Sequence, residues 1–329
     1  MSFAKYAWGV LVYNLLVIVW GAYVRASGSG AGCGSHWPLC NGSVLPRAPR
    51  IETVIEFSHR LTSGLALLLV VGLVIFAFGR FGRGSVVRYA ALASLFFILS
   101  EALIGAGLVL LEYVAENKSI ARAFWMSGHL VNTFLLLAAI SLTAWWGSGR
   151  EVSTTIKWPR YSILAFVGCV LGMVVLGTSG AIAALGDTLF PVRSLAEGIQ
   201  QDLSETASFL IRLRIWHPLI AVLVGIGLIA TSMYFRKWAS SNQARRLSNA
   251  LVALVLAQWC AGVINLVLLA PIWMQLVHLL IADLVWIALI LFGASFASST
   301  SAAMNPNAGQ YLPDTMRRKY SSARAGSSL

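Results

Sequence analysis

The stretch TVIEFSHRLTSGLALLLVVGLVIFAFG, at residues 53–79, decides the fold class of this chain. It is almost uninterruptedly apolar, and a helix needs about 20 such residues to cross the hydrocarbon core of a bilayer. Seven more runs of this kind are present, at residues 7–26, 88–111, 123–146, 161–182, 210–234, 247–270 and 273–297. The sequence therefore predicts an all-α integral membrane protein with eight transmembrane helices.

The composition agrees with a membrane location. Of the 329 residues, 58% are hydrophobic and only 11% are charged, whereas a soluble domain carries about 25% charged residues. Most of the lysines and arginines behind the net charge of +12 gather in loops on one side of the predicted spans. Because cytoplasmic loops attract such an excess, we expect a bacterial cytoplasmic (inner) membrane protein with both termini in the cytoplasm. These cations form no basic surface domain, so nucleic acid is not an expected partner.

The eight spans divide into two sets of four that resemble each other. Three pairs of segments correspond: Glu56-Phe-Ser-His59 with Arg214-Ile-Trp-His217, Glu101-Ala-Leu-Ile-Gly105 with Gln258-Trp-Cys-Ala-Gly262, and the beginnings of spans 4 and 8, with His129 and His278. Each set crosses the membrane an even number of times, so both sets have the same orientation. We expect two tandem four-helix bundles, 1–150 and 151–297, related by a pseudo-two-fold axis along the membrane normal. The polar segment 298–329 is predicted to be a disordered cytoplasmic tail.

Four of the five histidines, namely His59, His129, His217 and His278, lie inside even-numbered spans. All four are at a similar depth near the predicted outward ends, so any site they form faces the outer side. A single buried histidine often only hydrogen-bonds a neighbouring helix, but four at matched depth indicate function. Two histidines on facing helices can ligate one haem iron from both sides, which pairs His59 with His129 and His217 with His278. Zinc or copper is the alternative, although a zinc ion needs four ligands.

Five arginines lie near the predicted outward ends of the spans, against the general distribution of positive charge. They are Arg25, Arg60, Arg122, Arg212 and Arg214. Arginine binds carboxylates through two parallel hydrogen bonds, so these residues are candidates for binding haem propionates. The alternative is that their side chains extend to the lipid headgroups.

One acidic residue distinguishes the first set of spans from the second. Glu56 lies three residues before His59 and shares a helix face with it, whereas the second set is interpreted as offering Leu213 there and no carboxylate. This asymmetry suggests that one haem is a substrate and the other a fixed cofactor. Glu56 is a candidate catalytic residue that accepts protons or stabilises positive charge. Alternatively, it orients a ligand histidine.

Cys33 and Cys40 lie in a glycine-rich loop that is predicted to face outward. Because that compartment is oxidising, we expect a disulfide bond between them. The sequence leaves open whether the bond is structural or redox-active.

Several of these motifs together resemble the haem A synthase family. They are GSGAGCGSHWPLC at residues 28–40, Glu56-Phe-Ser-His59-Arg60, and the histidines at positions 129, 217 and 278. The resemblance covers nearly the whole chain except the tail. It implies oxidation of the C8 methyl group of haem O to a formyl group, which yields haem A for terminal oxidases. It also implies that the N-terminal half receives haem O, that the C-terminal half holds haem b, and that Glu56 is catalytic.

The same resemblance implies haem O synthase and assembly factors of terminal oxidases as partners, and it leaves a homo-oligomer open. One departure concerns residues 183–209, which contain no cysteine, whereas many family members carry a second cysteine pair there. A mechanism that requires two disulfides is therefore in doubt for this chain.

Two other functions are compatible with four buried histidines. One is a non-enzymatic di-haem electron-transfer protein similar to a membrane cytochrome b, and the other is a haem-handling transporter or assembly factor. Glu56 and the two-cysteine loop favour the enzyme, because plain electron transfer requires neither.

Overall fold

The computed structural model describes residues 2–150, 160–204, 207–238 and 241–303, and these are predominantly helical. The helices along this part of the chain are α1 Phe3–Ala26, α2 Ile51–Arg80, α3 Val86–Leu110, α4 Ile120–Gly147, α5 Arg160–Leu189, α6 Leu195–Asp202, α7 Phe209–Arg214, α8 Trp216–Trp238, α9 Asn242–Val267 and α10 Ile272–Ala303. No β-strand occurs among the described residues. Eight segments are long and apolar enough to cross a membrane, so the predicted all-α membrane fold with eight spans is confirmed.

The ends of two helices differ most from the prediction. α5 continues to Leu189, well beyond the expected end at 182. α10 continues to Ala303, so the segment predicted as a tail begins as helix. The rest of that segment, residues 304–329, lies outside the described residues.

The span predicted at 210–234 is two helices rather than one. α7 ends at Arg214 and α8 begins at Trp216. The physical cause is Pro218, because proline has no N–H to donate and its ring clashes with the carbonyl group four residues earlier, which belongs to Arg214. The break places His217 in the first turn of α8.

Serine side chains begin several of the helices. The hydroxyl groups of Ser85 and Ser119 accept hydrogen bonds from the first turns of α3 and α4, and Ser241 does the same for α9. Such an N-cap stabilises a helix by about 1 kcal/mol, because it satisfies an amide that has no partner in the helix. These caps define where α3, α4 and α9 begin.

Contacts between the helices run around two closed rings. In the first ring, α1 touches α2, α2 touches α3, α3 touches α4, and α4 returns to α1; in the second, the order is α5, α8, α9, α10. α4 also packs against α5 and α10, which joins the rings. The helices that lie opposite each other are α2 and α4 in one ring and α8 and α10 in the other, and these carry the four histidines. The pseudo-two-fold axis remains a prediction.

Two aromatic side chains connect the first group of four helices to the second. Phe134 of α4 and Trp286 of α10 stack with centroids 4.8 Å apart and an angle of 13° between their planes. The indole N–H of Trp286 also donates a hydrogen bond to the carbonyl oxygen of Phe134. A stacked aromatic pair contributes about 0.5–1.5 kcal/mol beyond its buried area. This contact fixes the relative position of the two helices that carry His129 and His278.

Candidate haem sites

Each of the four histidines within the spans packs against a glycine of the neighbouring helix. In order of increasing distance between a β-carbon built on the glycine and Cε1 of the imidazole, the pairs are Gly21–His59 at 2.8 Å, Gly180–His217 at 3.0 Å, Gly262–His278 at 3.2 Å and Gly105–His129 at 3.8 Å. A side chain on the first two glycines would collide with the ring or press hard on it. The glycines thus create the space that the imidazole rings occupy, a feature that the spacing of the histidines alone does not predict.

The imidazole nitrogens are poorly satisfied by the protein. Nδ1 of His59, His129 and His278 is buried and makes no hydrogen bond to any described residue. Only His217 has a good partner at Nδ1, the hydroxyl oxygen of Ser179 at 2.9 Å. Leaving a buried polar atom without a partner costs about 1–3 kcal/mol, so simple hydrogen bonding between helices does not explain these residues. Each of the four rings keeps at least one nitrogen without a hydrogen bond to a described residue, so the imidazoles fit ligands for a haem iron.

The histidines predicted to pair in the second half lie close together. The rings of His217 and His278 are 6.4 Å apart between centroids and meet edge to face at 85°. In the first half, His59 lies on α2 and His129 on α4. These two helices are opposite each other in the first group of four helices. Among the described residues, no three His, Cys, Asp or Glu side chains converge as a metal-ion site. A zinc site with four protein ligands therefore has no support there.

Glu56 connects α2 to the cysteine loop. It is 3% exposed, and its Oε2 accepts a hydrogen bond of 2.8 Å from the backbone N–H of Cys33. Its Oε1 accepts from Nε and Nη2 of Arg60, and Arg60 also donates to the carbonyl oxygens of His36 and Leu39. These hydrogen bonds hold the carboxylate of Glu56 in one orientation. They connect it to the cysteine loop and not to the imidazole of His59.

The predicted disulfide bond between Cys33 and Cys40 is confirmed. Both cysteines are fully buried, and the loop packs so tightly on the start of α2 that a β-carbon on Gly32 would lie 2.3 Å from the carbonyl oxygen of Glu52. The hydroxyl group of Thr53 also donates to the carbonyl oxygen of Gly32. The loop is thus a fixed part of the structure beside Glu56.

The counterpart of Glu56 in the second half is Arg214, and the interpretation of Leu213 as this counterpart was wrong. Arg214 lies three residues before His217, as Glu56 lies three residues before His59. Its guanidinium group contacts Asp187 at 3.0 Å and Asp202 at 2.6 Å. The two halves therefore carry opposite charges at this position.

The other candidate arginines lie at the same end of the helices. Arg25 donates to the carbonyl oxygen of Ala184, to Thr188 and to Gln275, and so connects α1 with α5 and α10. Arg122 donates to the backbone carbonyl oxygens of residues 115 and 117. Arg212 lies in the last turn of α7.

Two acidic residues within the spans were not assigned a role from the sequence. The carboxylate of Glu101 accepts hydrogen bonds from Asn132 and Thr133, and its Oε1 lies 3.5 Å from Nδ1 of His129. Asp283 is completely buried, and neither of its carboxylate oxygens has a hydrogen-bond partner among the described residues. The available signal was an ionisable residue inside a membrane span, which is costly and usually functional.

Comparison with known proteins identifies the family of this chain. The family model described as "Cytochrome oxidase assembly protein", COX15-CtaA, matches residues 4–290. A "Heme A synthase" from Staphylococcus carnosus is 30% identical over 267 residues, which are 79% of this chain and 83% of the relative. A "Heme A synthase" from Halalkalibacterium halodurans is 28% identical over 281 residues, which are 84% of this chain and 90% of the relative.

A more similar relative carries a different name. A "Protoheme IX farnesyltransferase" from Thermus thermophilus is 48% identical over 292 residues, or 89% of this chain. The chain spans only about half of that relative, 48% of its length. Since the family model matches from residue 4 to residue 290, and the Staphylococcus relative aligns over most of both chains, this chain belongs to the COX15-CtaA family of cytochrome oxidase assembly proteins.

Proposed function

We propose that this chain is a haem A synthase, which oxidises the C8 methyl group of haem O to a formyl group and so produces haem A. The alignment of most of the chain with relatives named "Heme A synthase" carries this proposal. The four histidines packed on glycines support it, because they offer ligands for two haems.

In this proposal, residues 1–150 form the substrate half and residues 151–297 the cofactor half. His59 and His129 hold haem O, whereas His217 and His278 hold haem b. When bound, haem b supplies one-electron redox chemistry. The glycine behind each imidazole lets the ring approach the neighbouring helix closely, so its orientation is restricted by packing.

Glu56 is the proposed catalytic residue. Oxidation of a methyl carbon releases protons, and a positioned carboxylate can accept them. The hydrogen bonds from Cys33 and Arg60 hold the Glu56 carboxylate in place, which lowers the cost of reorientation during the reaction. Arg214, at the same position in the second half, cannot act as an acceptor. This difference supports assigning the chemistry to the first half.

The propionate groups of the two haems need positive partners, and the candidates lie at the helix ends on the side of the cysteine loop. Arg60 and Arg122 are the candidates in the substrate half, Arg212 and Arg214 those in the cofactor half, and Arg25 lies between them. Several of these guanidinium groups donate to backbone carbonyl oxygens in the described structure. A propionate could replace such a carbonyl, because a charge-assisted hydrogen bond is roughly twice as strong as a neutral one.

The Thermus relatives suggest where the substrate comes from. They are named for attaching a farnesyl group to protohaem, and this chain aligns with about half of them. We infer that a haem carrying a farnesyl group, such as haem O, is the substrate of this chain. For this chain, a haem O synthase would supply the substrate, and assembly factors of a terminal oxidase would receive the product.

The distribution of lysine and arginine supports a bacterial inner membrane with both termini in the cytoplasm. In that orientation the cysteine loop and the haem sites face the outer side. An oxidising outer compartment is compatible with the disulfide bond.

The proposal is tested in cells that make haem O but lack another haem A synthase. Expression of this chain should produce haem A, detected by extraction and chromatography of total haems. The His59→Ala variant, expressed at the same level, should leave haem O unconverted. Recovery of haem B alone on the purified protein, with haem O untouched in the membranes, would instead support a di-haem electron-transfer protein.

A further inference from the structure

Glu101 is an acidic side chain inside the membrane that the proposed mechanism does not use. It lies on α3, and its side chain is 19% exposed. Its hydrogen-bond and ion-pair contacts among the described residues lie on one stretch of α4, at Asn132, Thr133 and His129. The buried carboxyl group of Asp283 on α10 also interacts with it electrostatically. A carboxylate in a span is costly unless it has partners and a purpose. Here the partners lead directly to a proposed iron ligand.

The orientation of the Glu101 carboxylate is fixed by a chain of hydrogen bonds. Oδ1 of Asn132 accepts from the hydroxyl group of Ser100 at 2.6 Å, so the amide nitrogen is the atom directed toward Glu101. That nitrogen also donates to the carbonyl oxygen of Phe97. Thr133 lies one turn after His129, and its hydroxyl group contacts the other carboxylate oxygen of Glu101. Both oxygens therefore have a defined direction.

The carboxylate held in this way lies beside the unsatisfied nitrogen of His129. The distance from Oε1 of Glu101 to Nδ1 of His129 is 3.5 Å, slightly longer than a hydrogen bond, and Nδ1 has no other partner among the described residues. A β-carbon on Gly105 would be 3.8 Å from the ring, an ordinary van der Waals distance, so the glycine leaves space on that side of the imidazole. A small shift of the ring would complete the hydrogen bond.

The second half has a neutral residue at the same place. Gly105 and Gly262 each lie behind the second histidine of their half, and four residues before these glycines stand Glu101 and Gln258. The amide nitrogen of Gln258 lies 3.2 Å from a ring nitrogen of His278. Each half thus places a polar side chain beside its second histidine, Glu101 beside Nδ1 of His129 and Gln258 beside Nε2 of His278, and only the first half places a carboxylate there.

We propose that Glu101 is a positioning residue for His129, which accepts a hydrogen bond from Nδ1–H and thereby directs the opposite ring nitrogen toward the substrate haem. A ligand histidine that donates to a carboxylate is a stronger electron donor to iron than one beside an amide. The iron in the first half is therefore held at a lower reduction potential than it would be beside a glutamine. This inference rests on the proposed role of His129 as an iron ligand.

The test uses the full-length protein, purified in detergent and saturated with ferric protohaem as the probe. Midpoint potentials are measured by spectroelectrochemistry and low-spin ferric signals by electron paramagnetic resonance. Glu101→Gln should raise the potential of the haem in the first half and shift its resonance, while the second haem stays unchanged. The reciprocal variant Gln258→Glu should lower the potential of the haem in the second half. Unchanged potentials and resonances in Glu101→Gln, with haem bound at the normal ratio, would overturn the inference.

Two further outcomes keep the test decisive. If Glu101→Gln fails to fold or loses haem, Gln258→Glu decides alone, and no change in the potential of its haem would refute the inference. His129→Ala separates this result from the proposed ligation. If that variant retains the signal of the first haem unaltered, then His129 is not a ligand, whatever Glu101 does.

Discussion

Each half of the chain packs its two histidines on glycines of neighbouring helices, but the polar groups beside those histidines differ. Three residues before the first histidine stands Glu56 in one half and Arg214 in the other. Four residues before the glycine behind the second histidine stands Glu101 in one half and Gln258 in the other. Both differences give the first half a carboxylate that the second half lacks.

This contrast separates two requirements that a repeated sequence can meet independently. Close packing of an imidazole on a neighbouring helix requires only a glycine at the point of contact, and both halves have one behind each histidine. Proton transfer needs an acceptor near the reacting carbon, and a haem that only passes electrons does not. Under the proposed function, Glu56 and Glu101 support assigning the chemistry to the first half, and the shared packing supports a haem site in each half.

The largest expected effect comes from removing one ligand in each half. His278→Ala should abolish the low-spin haem b spectrum of the purified protein, because only one of the two proposed protein ligands, His217, would remain for the iron. His129→Ala should leave that spectrum in place and prevent retention of haem O. Optical spectra of dithionite-reduced protein, combined with chromatography of the extracted haem, measure both effects.

The comparison between the halves would fail if His129→Ala and His278→Ala gave the same spectrum. Equal loss in both variants would mean that the histidines form one shared site. His36→Ala provides a control, since His36 lies in the cysteine loop outside the spans.

Glu56→Gln should reduce haem A output by about 100-fold, a typical contribution of a general base. It should also destabilise the protein, because the amide has one acceptor oxygen where the carboxylate serves both Cys33 and Arg60. An unsatisfied buried donor costs about 1–3 kcal/mol. Haem A is measured in extracted membranes, and stability by thermal unfolding in detergent.

Glu56→Gln removes both a hydrogen-bond acceptor that holds the cysteine loop and a proposed proton acceptor, so the two effects must be distinguished. The double variant Cys33→Ser, Cys40→Ser loosens the same loop but keeps the carboxylate. If that double variant makes as little haem A as Glu56→Gln, then Glu56 acts by holding the loop. If it retains most of the output, the carboxylate itself is needed.

The fold could be predicted from hydropathy alone, because a bilayer admits only helices or closed barrels as spanning structures. The break before Trp216 was also readable in principle, since Pro218 is visible in the sequence. The bond between Glu56 and Cys33 was not, because it depends on how a loop folds back on a helix. Glu101 was visible as an acidic residue within a span, but its relation to His129 depends on the rotation of α3 against α4, which a single sequence does not contain.

The smallest effects are expected from substituting the glycines behind the histidines, and they should differ along the series. Gly21→Ala would place a β-carbon 2.8 Å from the ring of His59, which should cost about 1–3 kcal/mol as overpacking. Gly105→Ala would place one 3.8 Å from the ring of His129, an ordinary van der Waals distance. We expect a clear fall in thermal stability and haem retention for the first and no comparable loss of either for the second. Gly64→Ala is the control on α2, because nothing lies within 4 Å of its β-carbon.

The space beside the imidazole of His129 makes Gly105→Ala informative about the difference between the two halves. Of the four rings, His129 has the loosest glycine contact, and it lies beside a carboxylate at 3.5 Å. A ring that can shift suits a site that must accept a substrate haem and release a product. The other proposed ligand of that site, His59, is packed tightly on Gly21, so only the His129 side of the site has this freedom. Gly105→Ala should therefore leave the folded protein and its haem b intact while restricting the movement of His129, which should slow release of haem A more than it affects stability. If Gly105→Ala instead lowered stability as much as Gly21→Ala, the space beside His129 would be an incidental feature of packing.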